Sequence, residues 1–481
     1  MKNITGYLRE KYGRWGWMGQ RAHDAVGIND ILPLDFIISC DYGKEVPYYF
    51  SEDDVFSGEK KIGIRKNWSN EDLKSSLDGS MGREIYSRWD SYSEPVNLLC
   101  YRSLKRLEAR SKKYSGNPRI YSASEKLKRH FDNKILLHRN MKRLELPEIR
   151  GIIEKPGKIT FRSVQKELSS PFVVQFPYGS SGSSTFIIEN EKEYNDLRRK
   201  CPDQQAVIRE YIAGFSLNVN AIIVSTPDGA ETYSSMPSVQ ITGLPECSNF
   251  PAAYCGNDYA LVNDMDPATI EQVGILVKRI GKWMGEAGFR GVFGMDFMVR
   301  NDIVYVMEIN PRFQNSTGLY AVLRDMDTAG MDALFLLHIA EFLQKEDAKM
   351  RKFVEKFDKE SLMSPVSGSQ VILHNREIST IVAGELEAGV YRLSGEKLEF
   401  IRKGASLKDC KEKGDVLITC GVPKIHTPVE PNAPICKVQS RRNLLDPGNR
   451  RYLTTEGKLI VKGVYKKLYL KDADRMEMAA A

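Results

Sequence analysis

The chain has 481 residues, enough for two to four compact domains, with three as the first expectation. Its 70 basic and 63 acidic residues leave a mild net charge of +7, which suits a small anionic substrate, and no stripe or tail of like charge points to nucleic acid. Apolar residues make up 42%, yet no run of about 18 of them exists and no apolar stretch follows Met1, so neither a membrane span nor a secretory leader is expected.

The eight cysteines are scattered without a C-x-x-C pair. They predict buried free thiols and a reducing, cytoplasmic compartment rather than a zinc knot or a disulfide framework. The densest basic run, RSLKRLEARSKK (102–113), has helical spacing and reads as a solvated helix face.

Residues 1–125 carry the apolar runs ILPLDFIISC (31–40) and VNLLC (96–100), expected as buried strands of an α/β unit. A helix follows over SASEKLKRHFDNKILLHRNMKRLELP, stopped by Pro147. From 160 the period becomes β-like. FVVQF (172–176) and TFIIEN (185–190) flank a glycine–serine loop in PFVVQFPYGSSGSST. Its Gly179 and Gly182, with Ser180, Ser181, Ser183 and Ser184, can fold over phosphates as a nest of donors, although such a run also describes a flexible linker. No Walker A loop occurs.

AVIREYI and LNVNAIIV are further strands, and SSMPSVQITGLPECSNFPAAYCGNDY (234–259) reads as a long polar loop. Within and around it Gln240, Asn257 and Asp258, with Arg209 and Arg290, are candidates for holding a carboxylate, an amine or another anionic substrate group; surface turns are the plain alternative. An amphipathic helix then runs through TIEQVGILVKRIGKWMGEAG.

GVFGMDFMV and IVYVMEIN, around Asn301 and Asp302, form a hairpin signal. Asp296, Glu308 and Asn310 stand among bulky apolar neighbours, where burying two carboxylates costs several kcal/mol, roughly, unless a cation compensates. Hard oxygen ligands of this kind suit Mg²⁺. Glu308 and Asn310 share a face; Asp296 joins them only across an odd-length loop such as Arg300–Asn301–Asp302, whereas a two-residue Asn301–Asp302 turn would put the carboxylates on opposite faces and end the metal reading. The plain alternative is an amphipathic hairpin with solvated acids. Beyond MDALFLLHIAEFLQK the chain is expected to be a strand-rich, mostly antiparallel cap over 346–481, including LIVKGVYKKLYL, with MEMAAA as a disordered end.

At Glu308-Ile309-Asn310-Pro311-Arg312 the chain resembles the ATP-grasp superfamily, in the branch that includes biotin carboxylase and peptide and amino-acid ligases. The resemblance covers about residues 125–345. It implies an α/β (α+β) fold with an ATP-grasp core at 126–345, between the N-terminal α/β unit and the strand-rich C-terminal domain. It implies that Asp296 and Glu308 hold Mg²⁺ (or Mn²⁺), that Asn310 assists, and that Arg312 acts on the phosphoryl group or acyl phosphate. Lys134 matches a phosphate lysine of the superfamily; Gln175 stands where a second lysine is usual, ahead of the covering loop Gly179–Ser183. Glu210 would meet the adenine amino group with Tyr211 and Ile212 flanking the base. No acid follows Gly214, so Ser216 or Asn218 is left for the ribose. The implied activity is an ATP-dependent carboxylate–amine ligase acting through an acyl phosphate on a small acid and an amine, with a homodimer as one assembly. A bicarbonate-using carboxylase, a small-molecule kinase and a nucleotide-sensing module without catalysis stay open.

Overall fold

The structure of the protein, a computed structural model, describes residues 2–179, 184–327 and 333–473. Ser180, Ser181, Gly182 and Ser183 of the expected phosphate loop, and the closing MEMAAA, lie outside the described residues.

The first apolar runs build a parallel sheet from β1 (Arg14–Met18), β2 (Phe36–Ser39), β3 (Val55–Ser57), β4 (Val96–Cys100) and β5 (Arg119–Tyr121), in the order β3-β2-β1-β4-β5. β2 and β4 are buried at every position, as strands covered on both faces must be. The strand order reverses between β1 and β4. The loops that leave those two strands, at Gly19–Arg21 and Tyr101–Ser103, therefore emerge side by side at the carboxyl edge, where open α/β sheets offer a crevice.

A four-stranded antiparallel sheet follows: β6 (Gly151–Glu154), β7 (Phe172–Gln175), β8 (Thr185–Ile188) and β9 (Ala206–Glu210), ordered β6-β9-β7-β8. Phe161, Phe172, Phe176 and Tyr194 centre an apolar core that belongs to this sheet and its two helices. The third sheet has eleven strands. β10 (Phe215–Thr226), β11 (Gly229–Ser234), β12 (Ser238–Thr242), β13 (Tyr254–Asp258), β14 (Gly291–Arg300), β15 (Ile303–Asn310) and β16 (Ser369–His374) run on into strands Pro434–Ser440, Asp415–Thr419, Gly389–Ser394 and Lys397–Lys403. The pairing of β13 with β16 makes one continuous sheet across the expected division near 345. Helix Pro267–Glu286 packs beneath it through Val273, Val277, Ile280 and Met284.

Three expectations are corrected. The segment 234–259 is not one loop, because it contains β12 and β13, which insert between β10 and β16. LIVKGVYKKLYL is a helix, Thr455–Leu468, not a strand: Ile460, Val461, Val464 and Leu468 fall on one helical face, and Thr454 caps the first turn by accepting from Gly457 N. The helix expected over 122–147 is two helices, Glu125–Phe131 and Lys134–Asn140, because Asn133 caps the second one with its side-chain oxygen. No described helix is long and apolar enough to cross a membrane.

One side chain staples the N-terminal sheet to the C-terminal strands. Arg65, only 2% exposed, donates to Glu59 through Nε (2.6 Å) and Nη2 (2.8 Å), and to the carbonyls of Tyr42 (3.1 Å), Gly421 (2.6 Å) and Ile435 (2.9 Å). Its backbone completes the join, with Arg65 N donating to Pro428 O and Glu430 N to Arg65 O, each at 2.9 Å. Removing one member of a buried, fully bonded pair leaves the other charge stranded. Arg65→Met should therefore destabilise the protein by about 3–5 kcal/mol, read as a lower urea midpoint; an unchanged midpoint would show that the join contributes nothing.

Candidate functional site

The hairpin does not obey the register condition stated from sequence. Its turn is the two-residue Asn301–Asp302, both at positive φ (49° and 62°), with Arg300 opposite Ile303. Positive φ at both central residues is the primed turn that matches strand twist. In an unbroken ladder this turn would put the carboxylates on opposite faces. The ladder is broken: Phe297 pairs with Val306, whereas Asp296 pairs with Glu308, so Met307 is an extra residue in β15. Val304 and Val306 point into the core, and past the bulge Ile309 takes over that role. Glu308 and Asn310 thereby turn to the face of Asp296.

Asp296 is held from two sides. Asn218 Nδ2 donates to Asp296 Oδ1 at 2.6 Å, and Asn310 Nδ2 donates to Oδ2 at 3.2 Å. Asn218 is itself fixed, donating to Gln314 Oε1 (2.6 Å) and accepting from Ser316 Oγ (2.7 Å). Gln314 reaches β10 only because position 294 is glycine; a Cβ there would lie 1.8 Å from its amide carbon. Burial first, and then the charge of Glu308, push the Asp296 carboxyl up to about 6 despite the donors Asn218 and Gln240. A divalent cation between the two carboxylates removes both penalties, and with the Asn310 oxygen the donor set is the hard one that Mg²⁺ takes. Among the described residues no third acidic, His or Cys side chain joins the pair.

Cations close the other side. Lys134, 5% exposed at the start of its helix, donates to Glu308 Oε1 at 2.8 Å. Its backbone N donates to Pro177 O at 3.1 Å, which ties the helix to the start of the phosphate loop. Arg312 donates from Nη2 to Asn310 Oδ1 (2.8 Å) and from Nη1 to Tyr101 Oη (2.9 Å), and its guanidinium lies 5.2 Å from the centre of that ring.

These groups form the floor of a cleft of about 530 Å³ between the eleven-stranded and four-stranded sheets. Gln175, Thr185 and Arg209 line its other wall, with Gln175 Nε2 donating to Thr185 Oγ1 at 3.0 Å. Tyr211 and Ile212 line it at the join of the two sheets, and Ser216 on β10 faces it beside Met298. Gly179 stands at the described edge of the covering loop.

Other expected roles change. Glu210 lines the cleft beside Tyr211, and its carboxylate accepts from Arg150 N (3.2 Å) and Arg150 Nη2 (3.4 Å), while alternation along β9 turns Arg209 toward the face of Gln175. Asn218 orients Asp296 and is not free for a ribose. Asn257 is fully buried behind Tyr254, donating to Ser238 Oγ at 2.9 Å. Asp258 accepts from Leu444 N and Leu445 N, a structural tie to the C-terminal region. Arg290 lies at the far end of β14, bonded to Gly285 O, Phe289 O and Ser225 Oγ, away from the cleft. Gln240 does line it.

Several cleft residues had no place in the sequence reading. Tyr101, directly after β4, reaches Arg312, and Arg21, after β1, donates to Asn315 Oδ1 at 2.5 Å. Their signal was position alone, just past the ends of buried parallel strands. Arg450, Arg451 and Tyr452 line the cleft near Gly214, whose carbonyl accepts from Arg451, and Arg450 lies 4.9 Å from the centre of the Phe215 ring. Nothing local marked that turn.

The family model of the ATP-grasp domain matches residues 132–316. The chain is 26% identical over 196 residues to a formate-dependent phosphoribosylglycinamide formyltransferase of Wigglesworthia glossinidia brevipalpis, covering 39% of this chain and 44% of that protein. It is 25% identical over 158 residues to a D-alanine–D-alanine ligase of Petrotoga mobilis, covering 32% and 50%. The chain thus spans half or less of the length of these curated relatives. Its fold superposes on the biotin carboxylase–βγ-ATP complex of Campylobacter jejuni with a TM-score of 0.53 at 12% identity, over 89% of this chain and 87% of that one. A bulged carboxylate hairpin, a lysine facing it from a capped helix, and a cleft between two sheets are how this chain builds what these comparisons identify: it carries an ATP-grasp domain, in a fold shared with biotin carboxylase.

Proposed function

We propose that the protein is an ATP- and Mg²⁺-dependent carboxylate–amine ligase that forms an amide or peptide bond through an acyl phosphate and releases ADP and phosphate. The observation that carries this reading is the gathering of Asp296, Glu308, Asn310, Lys134 and Arg312 on one face of a cleft large enough for a nucleotide. A relative named as a D-alanine–D-alanine ligase agrees with it.

In this reading Asp296 and Glu308 hold the metal and Asn310 assists; Mg²⁺ bound there supplies neutralisation of the triphosphate charge. A substrate carboxylate oxygen attacks the γ-phosphorus, the bond to the bridging oxygen breaks, and ADP leaves. The amine then adds to the acyl carbon, phosphate departs with the C–O electron pair, and the surplus amine proton goes to phosphate or water. Lys134, already beside Glu308, neutralises charge on the phosphoryl group in transfer. Arg312, clamped by Asn310 and Tyr101, presents its guanidinium to the acyl phosphate. Gln175 and Gly179 lie on the phosphate side of the nucleotide, while Tyr211 and Ile212 flank the base. Arg21, Tyr101 and Gln240 lie at the end where the acid and the amine enter. No nucleophilic Ser, Cys or His is needed.

Incubation with ATP, Mg²⁺ and a pool of amino acids should give ADP, phosphate and an amide. Turnover that requires bicarbonate would replace this reading with a carboxylase, a phosphorylated product without ligation with a kinase, and nucleotide binding without turnover with a sensor. Glu308→Gln should lower turnover by about 10²–10³-fold or more while the folded spectrum stays intact; wild-type rates in that variant would refute the site. Deleting Met307 removes the bulge and turns Glu308 and Asn310 toward the core. Mg²⁺-stimulated turnover should vanish in the deletion, whereas Met307→Ala, which keeps the residue count, should retain more of it. Equal activity in the two would show that the bulge does not position the carboxylates.

A further inference from the structure

The mechanism above leaves one buried charge unused. Arg209 on β9 is 3% exposed, and its Nε and Nη2 meet no hydrogen-bond partner among the described residues. A guanidinium taken out of water without a counter-charge costs several kcal/mol, roughly, so a folded protein keeps one only where something compensates later. The carboxylate whose charge acts on Arg209 is Glu308, and that group already accepts the Lys134 ammonium at 2.8 Å. In the resting protein, two cations therefore face one carboxylate.

The surroundings are built to admit this side chain. Across β6, the residue opposite Arg209 is Gly151, where a Cβ would come within 2.8 Å of the Arg209 Cβ. Across β7, the opposite residue is Val173, and the diagonal neighbour on the same face is Gln175, a neutral amide turned to Thr185. The wall that faces the metal carboxylates thus offers one cation, and it comes from β9.

We propose that Arg209 is a phosphate-binding residue of the nucleotide site, supplying from β9 a positive charge that joins that of Lys134 beside Glu308. The assignment rests on the nucleotide reading of the cleft given above and moves Arg209 from the acceptor substrate to the triphosphate. Planar guanidinium donors suit phosphate oxygens, and an anion held there would satisfy Nε and Nη2 together.

Titration calorimetry with MgATP and MgADP, and thermal melts with and without nucleotide, test this on the full chain. Arg209→Gln should raise the dissociation constant for MgATP about tenfold or more, and should raise the melting temperature of the nucleotide-free protein because a buried unpaired charge is gone. Adding Gln175→Lys in the Arg209→Gln background returns a cation to the same face of the neighbouring strand and should restore most of the lost affinity. Unchanged affinity in Arg209→Gln overturns the proposal. So does a loss of affinity that comes with a lower melting temperature and no recovery by Gln175→Lys, the pattern of a purely structural residue. A wild-type protein that binds MgATP through Arg209 but never forms an amide would sink the ligase reading and leave this one standing.

Discussion

One inserted residue decides which way the carboxylates of Asp296 and Glu308 point. Side chains alternate strictly along a strand, so the face of Glu308 relative to Asp296 is set by the turn and by anything that breaks the ladder between them. The Asn301–Asp302 turn, suited to strand twist by its two left-handed residues, would by itself send Glu308 in among Val304 and Val306. Met307 corrects the phase after those valines have been buried and before Glu308 begins. The hairpin thus combines a tight turn with a functional face, two demands that an unbroken ladder cannot meet together.

Holding two carboxylates at that face is expensive, and the surrounding residues are arranged to offset the cost. Asn218 is locked by Gln314 and Ser316, so its amide can only donate to Asp296. Gln314 N in turn donates to Thr317 Oγ1 at 2.9 Å, and that hydroxyl donates to Asn220 Oδ1 at 2.6 Å, which anchors the segment after Arg312 onto β10. The hairpin and the segment that follows it are therefore one polar unit. Glu308 lacks such a shell and leans on Lys134 instead, a charged partner that, in the proposed function, would turn to a phosphate once a metal held the carboxylate. Asp296 is positioned by neutral donors that stay; Glu308 is positioned by a charge that can be exchanged.

The parts legible in sequence were those whose signal is local. The hairpin and the order of Glu308, Asn310 and Arg312 could be read from neighbours a few residues away, whereas Lys134 stood out only through the family resemblance, since by itself it reads as a solvated helix residue. The bulge could not, because Met307 is an ordinary apolar residue and its extra count shows only against β14. β12 and β13 looked like loop because their partners, β10 and β16, lie far away in the chain, and polar residues such as Gln240 and Asn257 suit a sheet face that lines or backs a cleft. LIVKGVYKKLYL has β-branched composition, and only the helical recurrence of Ile460, Val464 and Leu468 against the core decided it. Glu210 and Arg209 are adjacent and both line the cleft, so knowing which of them shares the face of Gln175 required the register of β9 against β7.

The three sheets divide the labour of the cleft. The floor belongs to the eleven-stranded sheet, which runs without a break into the C-terminal strands, and Arg65 joins that sheet's far end to the N-terminal parallel sheet. Tyr101 and Arg21, standing on the carboxyl edge of the parallel sheet, are thus placed against Arg312 and Asn315 by contacts buried deep in the protein. The four-stranded sheet is different. It packs around its own core, and it carries Gln175, Arg209 and the start of the phosphate loop. A wall with a separate core can shift against the floor at less cost than one that shares it. The charges agree with that division: Asp296 and Glu308 sit on the side joined to the rest of the protein and the Arg209 guanidinium on the other, so an anion taken up between them would draw the two walls together.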